Sequence, residues 1–293
     1  GLCHSHQACV PELLAELGMP WDGVSYKISG INHMAWLLEI SRNGEDLYPI
    51  IRKRAQEGPI YAPTLALREL HPEYADRIPS VAEQFTPDNH HDMVRFEIMK
   101  QFGYFVTESS EHSSEYYPWF IKKDHPELID RFHIPLDEYP RRCRDQIARW
   151  KQQAEHLVHN ENLTHTRSSE YAAGIIEALE TGRTFGFAGN VLNTGLIDNL
   201  PFDACVEVSC MVNEGHLSPC HMGPLPNQLA ALNRRQIEVH QLTVDAALTR
   251  KKEYIYQAAM LDPHAGSELT IDEIRSLVDD LIQAHGDWLP EYH

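Results

Sequence analysis

The sequence predicts a mixed α/β fold in which helices dominate toward the C-terminus. Two stretches rich in β-branched and aromatic residues, 24–40 and 184–212, are typical of strands. The region from residue 226 to residue 285 has the apolar spacing of helices. Of the 293 residues, 42% are hydrophobic, which is enough for one large domain or two modest domains with a proper core.

The N-terminal elements follow from local patterns. Residues 8–19 predict an amphipathic helix that glycine and proline end. Residues 24–40 predict two strands around Gly30. The polar stretch 44–89 predicts short helices and loops, with a mobile segment among them, because it carries repeated prolines: Pro59, Pro63, Pro72, Pro79 and Pro87.

The rest of the chain alternates helices with one strand region. Residues 91–102 have helical spacing and end at Gly103, and strands are predicted in 184–212 around the turn "NTGLIDNLP". The remaining predicted helices are 144–158, 169–181, 226–250, 251–261 and 271–285, the last capped by Thr270 or Asp272.

Charge and cysteine usage narrow the class of protein. The formal net charge is -18, which argues against partners such as nucleic acid or an anionic membrane, because both need clustered Lys and Arg. No stretch is long and apolar enough to span a bilayer. The six cysteines are scattered beside hydrophobic residues. This pattern favours reduced thiols and a cytoplasmic protein over a disulfide framework.

Cys3 and His33 are candidate metal ligands. Cys3 alone is more typical of a buried thiol at a strand end, and His33 alone is more typical of a satisfied core histidine. Together they place a thiol and an imidazole at two predicted strand ends, which is a plausible two-point clamp for a borderline transition metal. Two protein ligands are too few for a closed structural zinc site, so the pair indicates a catalytic ion that a substrate helps to hold.

The stretch 107–120, "TESSEHSSEYYPWF", concentrates proton-transfer groups beside aromatic rings. Two interpretations explain this composition equally well. One is an ordinary polar loop with an aromatic anchor, and the other is a sugar site lined by stacking faces and hydrogen-bonding groups. The residues in question are Glu108, Glu111, His112, Glu115, Tyr116 and Tyr117.

Two further motifs favour structural interpretations. The segment "NTGLIDNLP" at 193–201 is interpreted as a tight turn, although a loop that enters a site or a subunit interface is the alternative. The segment 214–223 carries His216, Cys220 and His221, but it lacks a fourth ligand and paired spacing. We therefore interpret it as a turn between strands.

The motifs together resemble a known family. The chain resembles the C-terminal two-thirds of bacterial α-galactosidases (melibiases) of glycoside hydrolase family 4. "GLCHS" and "GINHMAW" have the form found across that family, whereas the more specific motifs belong to its α-galactosidase branch. The latter include "VRFEIMKQFGYFVTESSEH", "EYYPWFIK", "IPLDEYPRRC", "GLIDNLP", "LPNQLAAL", "DPH" and "HGDWLP".

The resemblance implies a particular domain organisation. It implies the C-terminal domain of a lactate/malate-dehydrogenase-like fold, with only the last strand and helix of a Rossmann domain present. Residues 1–23 would be the tail of that NAD-binding domain, and 24–293 would be the metal- and substrate-binding catalytic domain. The NAD site itself is expected in an N-terminal domain outside this chain. The chain alone is therefore expected to be inactive.

The resemblance also implies a chemistry. The sugar is oxidised at C3 by NAD, loses its C2 proton and its C1 leaving group, adds water and is reduced again, with a divalent metal, usually manganese, as Lewis acid. By position Cys3 and His33 would be the metal ligands, and Asn32 would touch substrate or cofactor. The base would be Tyr116, with Tyr117 one residue away as the alternative.

The acid of this reaction has no direct match. The position after the metal cysteine is Asp or Asn in the phosphoglycosidase branches, and it is His4 here. An imidazole could serve as the acid. The fallback candidates are Glu111 and His112, which with Asn32 and Tyr117 would also bind substrate.

The substrate implied by the resemblance is a small α-galactoside such as melibiose, acted on by a cytoplasmic homo-oligomer. Within the family, α-galacturonidase and α-glucosidase are the alternatives. A galacturonate site needs an extra cation, for which Arg95 is the candidate. A 2-hydroxy-acid dehydrogenase-like oxidoreductase and an inactive fragment are alternatives of other classes.

Overall fold

An antiparallel sheet forms the centre of the fold. The computed structural model describes residues 1–62, 83–159 and 171–293. Its strands are β1 (Val24–Ile31), β2 (Met34–Arg42), β3 (Glu45–Asp46), β4 (Ile60–Tyr61), β5 (Gln84–Phe85), β6 (Phe105–Val106), β7 (Phe185–Leu192), β8 (Cys205–Asn213) and β9 (His216–Pro219). The main sheet has the order β3-β2-β1-β8-β7, with β6 on β2 and β9 on β8, while β4 pairs with β5.

Helices cover and follow this sheet. They are α1 (Ser5–Glu16), α2 (Tyr48–Glu57), α3 (Met93–Phe102), α4 (Ser110–Tyr116), α5 (Glu127–Arg131), α6 (Glu138–His159), α7 (Tyr171–Thr181), α8 (Asn227–Thr249), α9 (Lys252–Leu261), α10 (Ala265–Glu268), α11 (Ile271–His285) and a 3-10 turn (Gly286–Trp288). The mixed α/β class and the helices predicted at 91–102 and along the C-terminus are confirmed. Of the two proposed caps, Thr270 is the N-cap of α11, with a full capping box to Glu273.

Two predictions near the start need correction. The first helix begins at Ser5, three residues before the predicted start. Cys3 lies outside any strand, although Gly1 exchanges two backbone hydrogen bonds with Asn190 at the edge of the sheet, at 3.0 and 2.9 Å. The backbone ahead of α1 is thus held along β7 without forming a strand of its own.

Two hydrophobic cores lie on the two sides of the sheet. Trp36 of β2 belongs to the first core, with Val206 and Val208 of β8. Leu37, the next residue of β2, belongs to the second core, into which α1 packs Cys9. This division follows from the alternation of side chains along a strand. It fixes α1 on one side of the sheet, close to the segment that carries Cys3.

The β1–β2 hairpin has a two-residue turn, Asn32–His33, between the paired residues Ile31 and Met34. Gly30 lies opposite Ala35 in this pair. A Cβ atom at position 30 would lie 2.6 Å from the Ala35 Cα, so the two strands could not approach as they do. The glycine therefore permits the close pairing that carries the turn.

The first of the two motifs interpreted as turns lies between strands β7 and β8, as predicted, whereas only the start of the second is a turn, because residues 216–219 form β9. In 193–201 the buried Asn193 side chain donates hydrogen bonds to the carbonyl groups of Ile197, Leu200 and Pro201. Its own side-chain oxygen accepts the amide hydrogen of Ile197. One asparagine thus closes the whole loop.

In 214–223 the turn Glu214–Gly215 joins β8 to β9. His216 lies in β9, and the Nε2 atom of His221 lies 2.8 Å from the Oδ1 atom of Asp198. The predictions for residues 63–82 and 169–170 fall outside the described residues. None of the helices that the structure describes is long and apolar enough to cross a membrane.

Candidate metal and sugar site

His33 occupies the β1–β2 turn in a left-handed conformation, with φ at 63°. Few residues other than glycine adopt this conformation, and it is common at functional sites. The turn presents the imidazole beyond the strand ends, where both ring nitrogens have partners. Nδ1 lies 2.8 Å from the Tyr116 hydroxyl oxygen, and Nε2 lies 3.2 Å from Oε2 of Glu108.

Cys3, His33 and Glu108 form one group. A ligand atom from each, namely sulfur, ring nitrogen and carboxylate oxygen, lies within 4.8 Å of the other two. These donors come from three elements: the segment before α1, the hairpin turn and the segment between β6 and α4. A thiolate, an imidazole and a carboxylate together suit a divalent transition metal. The donor set therefore fits the metal that the Cys3–His33 pair indicated.

The electrostatics of the group favour the ligating thiolate form of Cys3 and the charged form of His33. Burial raises the pKa of the Cys3 thiol, but the hydrogen-bonding groups of His33, Ser5 and Asn32 outweigh it and lower the pKa to about 6. Hydrogen bonding with Cys3 and the charge of Glu108 raise the pKa of His33 against the opposing effect of burial. At neutral pH Cys3 is therefore a thiolate, the form that binds metals.

The predicted polar stretch at 107–120 forms a helix around its middle, which corrects the loop interpretation. Ser109 is the N-cap of α4 and accepts the amide hydrogen of His112. His112 and Tyr116 are four residues apart and share one face of this helix. The imidazole of His112 stacks on that of His33, with ring centroids 5.6 Å apart. A short helix thus delivers both side chains to the metal-ligand group.

Tyr116 is the tyrosine that the structure brings to the site. Burial, followed by the negative charges of Glu108, Glu115 and Cys3, raises the pKa of its hydroxyl to about 12. The phenol is therefore protonated at neutral pH in the absence of a cation. A positive charge bound by the neighbouring ligands would lower that pKa.

Tyr117 lies elsewhere. It is 1% exposed, packs against Trp36 and stacks on Trp119 with ring centroids 5.4 Å apart. Its hydroxyl oxygen is buried without a hydrogen-bond partner, and burial raises the pKa of the phenol. Tyr116 is the last residue of α4 and Tyr117 is its C-cap with an extended backbone, so the two side chains point in different directions and only Tyr116 contacts His33.

The other predicted site residues surround this centre at different distances. Asn32, in the same turn as His33, is exposed, and its amide helps to lower the pKa of Cys3. Glu111 pairs with Arg142 of α6 and lies near His112 and Glu115 in a second group of potential ligands. His4 is exposed at the start of α1, where its carbonyl accepts the amide hydrogens of Gln7 and Ala8.

Sequence reasoning missed two carboxylates. Glu108 was noted in a polar run, but nothing in the pattern distinguished it as a ligand from Glu111 or Glu115. Glu207 is fully buried in β8, where burial and the charge of Cys3 raise its pKa to about 8. Its signal was a lone acid inside the apolar strand "CVEVSCMV".

Comparison with known proteins gives this geometry its family context. Residues 28–265 match the C-terminal domain of family 4 glycosyl hydrolases. The chain is 54% identical over its full length to an α-galactosidase of Bacillus subtilis (strain 168), and it covers 61% of that protein. It is 29% identical to an α-galactosidase of Rhizobium meliloti (strain 1021), again over the full chain and 56% of the relative.

A solved structure agrees with the fold. A 6-phospho-α-glucosidase from gut microorganisms, in complex with NAD and Mn²⁺, superimposes with a TM-score of 0.70 at 19% identity, over 100% of this chain and 62% of that one. The chain thus spans about 60% of the length of these relatives. Because the family model matches most of the chain, the protein belongs to family 4 of the glycosyl hydrolases.

Proposed function

We propose that this protein is an α-galactosidase that depends on NAD and a divalent metal such as manganese, and that residues 1–293 supply its metal and sugar site. The observation that carries the proposal is the group of Cys3, His33 and Glu108 with Tyr116 against His33. An ordinary glycosidase needs two carboxyl groups placed on either side of the scissile bond. A thiolate–imidazole–carboxylate group beside a tyrosine suits metal-assisted proton abstraction instead.

The contacts bring these residues together, and the family resemblance supplies their roles. Cys3, His33 and Glu108 would hold the ion, and Tyr116 would take the C2 proton of a sugar oxidised at C3. The cofactor and the metal, when bound, supply hydride transfer and Lewis-acid polarisation. Loss of the C1 leaving group, addition of water and reversal of the oxidation complete a net hydrolysis. None of the described residues is assigned to the nicotinamide cofactor.

Two side chains at the edge of the site, His4 and His112, are candidates for the acid that protonates the leaving group. His4 follows Cys3 directly, and His112 stacks on His33. His112 also lies 2.9 Å from Glu115 through its Nδ1, an arrangement that orients the ring and leaves Nε2 for a ligand. Of the two, His112 therefore has the geometry that favours it.

The charges favour a neutral sugar over a galacturonide. Arg95, the candidate for a uronate-binding cation, makes two hydrogen bonds to Asp92 and approaches Glu12 and Glu16. Arg142, which contacts α4, pairs with Glu111 and Glu138. A sugar carboxylate would have to displace these partners, whereas a galactoside such as melibiose would not. A cytoplasmic location and a homo-oligomer belong to the same proposal.

The test is an assay of the protein that carries residues 1–293, supplied with NAD and manganese. Nitrophenyl α-galactoside should be hydrolysed in preference to the matched α-glucoside and α-galacturonide, and chelation of the metal should stop the reaction. Faster hydrolysis of the α-galacturonide would overturn the substrate assignment. Activity that survives both chelation and Cys3→Ser would overturn the site.

A further inference from the structure

Arg95 lies at the centre of a buried ion cluster that shares no residue with the group of Cys3, His33 and Glu108. Its Nε lies 2.7 and 2.8 Å from the two carboxylate oxygens of Asp92, and its Nη2 lies 3.5 Å from Glu12 and 3.6 Å from Glu16. His91 adds a contact of 3.0 Å from its Nε2 to Glu16. Arg95, Asp92 and Glu16 are all at least 95% buried. Such a cluster is costly to bury, so its position in the fold is informative.

The cluster joins elements that are distant in sequence. Glu12 and Glu16 are four residues apart on α1 and share one face of it. Arg95 lies on α3, and its guanidinium stacks over Phe105 of β6 at 4.8 Å from the ring centroid. These contacts tie the helix that follows Cys3 to the strand that precedes Glu108.

A serine extends the tie to α4. The Ser110 side-chain oxygen accepts the backbone amide hydrogen of Arg95 at 3.2 Å, and the same hydroxyl donates a hydrogen bond to Asp92. Ser110 is the first residue of α4, the helix that carries Tyr116. Two hydrogen bonds of Ser110, one from Arg95 and one to Asp92, therefore hold the start of this helix against the cluster.

Two of the three metal-ligating residues lie at the starts of the joined helices. Cys3 lies two residues before Ser5, where α1 begins, and Glu108 lies two residues before Ser110, where α4 begins. The third ligand, His33, is on the hairpin turn and makes no hydrogen bond or ion pair to Arg95, Asp92 or Ser110 among the described contacts. A change in the relative position of α1 and α4 would therefore be expected to move Cys3 relative to Glu108.

We propose that Arg95 is a positioning residue: through its ion cluster it holds α1 and α4, and with them Cys3 and Glu108, at the spacing that metal binding needs. This inference rests on the proposed function, because it assumes that Cys3 and Glu108 share an ion. It also gives Arg95 a role different from that of a sugar-binding cation.

Three variants test the proposal. Arg95→Met removes the centre of the cluster, and Ser110→Ala removes only the link to α4. Lys100→Met is the matched control, because Lys100 is an exposed cation on the same helix that pairs only with Glu97 among the described contacts, at 3.8 Å. Manganese affinity is measured by calorimetric titration, and backbone hydrogen exchange is followed in α1 and α4.

Arg95→Met should weaken manganese binding by about tenfold or more, as loss of a residue that orients ligands commonly does. It should also speed exchange in both helices, whereas Ser110→Ala should affect α4 alone and Lys100→Met neither. Wild-type manganese affinity and unchanged exchange in a folded Arg95→Met protein would overturn the proposal.

Two further outcomes are decisive. If Arg95→Met does not fold, Ser110→Ala decides: a lower melting temperature with unchanged manganese affinity indicates a structural role only and overturns the proposal. If the wild-type protein binds no manganese, the proposed function fails. The exchange data then still decide whether Arg95 couples α1 to α4.

Discussion

The Nδ1 atom of His33 lies 2.8 Å from the hydroxyl oxygen of Tyr116, and this contact joins the candidate metal ligand to the candidate base. Tyr116→Phe removes only the hydroxyl, so ring packing survives. We expect exchange of the substrate C2 proton with deuterated solvent to stop, and turnover to fall by at least about 100-fold, as loss of a general base commonly causes. Proton NMR of the sugar in D₂O measures the exchange.

Tyr117→Phe is the matched control for that experiment. The Tyr117 hydroxyl is buried without a partner, so its removal should leave C2 exchange unchanged and the fold at least as stable. Exchange that persists in Tyr116→Phe but stops in Tyr117→Phe would contradict the placement of the base.

Cys3→Ser should lower manganese affinity by more than about 100-fold while the far-UV circular dichroism spectrum stays unchanged, since a thiolate ligand is replaced by a weakly acidic hydroxyl. Cys205 is exposed and lies outside the site, so Cys205→Ser serves as the control. Normal manganese dependence in Cys3→Ser would show that the ion is held elsewhere.

Glu108→Gln tests the ligand that the sequence patterns did not distinguish. The amide keeps the shape of the side chain but removes the negative charge that faces His33 Nε2 at 3.2 Å. We expect manganese to bind about 10- to 100-fold more weakly. The partly buried Glu97 on α3 provides a comparison, because it pairs with Lys100 rather than with the metal-ligand group, and Glu97→Gln should bind manganese as the wild type does. Equal affinities for the two variants would remove Glu108 from the metal site.

The raised pKa of the buried Glu207 predicts that the stability of the metal-free protein depends on pH. Burial raises its folded-state pKa to about 8, whereas the pKa of an unfolded glutamate is about 4.3. The folded chain therefore binds a proton that the unfolded chain releases, and stability falls as pH rises between these values. The loss at pH 7 is up to about 4 kcal/mol.

Glu207→Gln should remove this loss. Denaturant unfolding at pH 5 and at pH 8 should show a smaller difference in unfolding free energy for the variant than for the wild type. If Glu207→Gln showed the same change in unfolding free energy between pH 5 and pH 8 as the wild type, the carboxyl group would have to be ionised in the folded state.

Sequence patterns predicted the long elements and left the short, polar ones open. The helices α3, α8 and α11 have apolar spacing and recognisable ends, whereas α4 is seven polar residues with no apolar stripe. Its position depends on Ser109 as a cap and on the contact of Ser110 with a cluster formed by distant residues. Without that tertiary information the sequence does not show which side of the helix faces His33, so Tyr116 could not be distinguished from Tyr117 as the base.

The site was predicted in the same uneven way. Cys3 and His33 stood out by residue type, and the structure brings them together. Glu108 did not stand out, because surface carboxylates are frequent and only the fold shows which one meets His33. The charge of Arg95 made it a candidate for binding a sugar carboxylate. Its partners Glu12 and Glu16 lie about 80 residues away in sequence, so the sequence could not show that its guanidinium is already paired with carboxylates.

The two-residue turn of the β1–β2 hairpin also limits how the chain can vary. Hairpin tips ordinarily tolerate added residues, because they face solvent. Here the tip itself supplies His33, and the strands on either side have opposite faces committed to two different cores. One inserted residue would either lift the imidazole away from Cys3 or shift β2 by one position and exchange Trp36 with Leu37 between the cores. Length at this tip should therefore be as strictly constrained as residue identity, and a library of insertions along the chain should show a sharp gap in tolerance there.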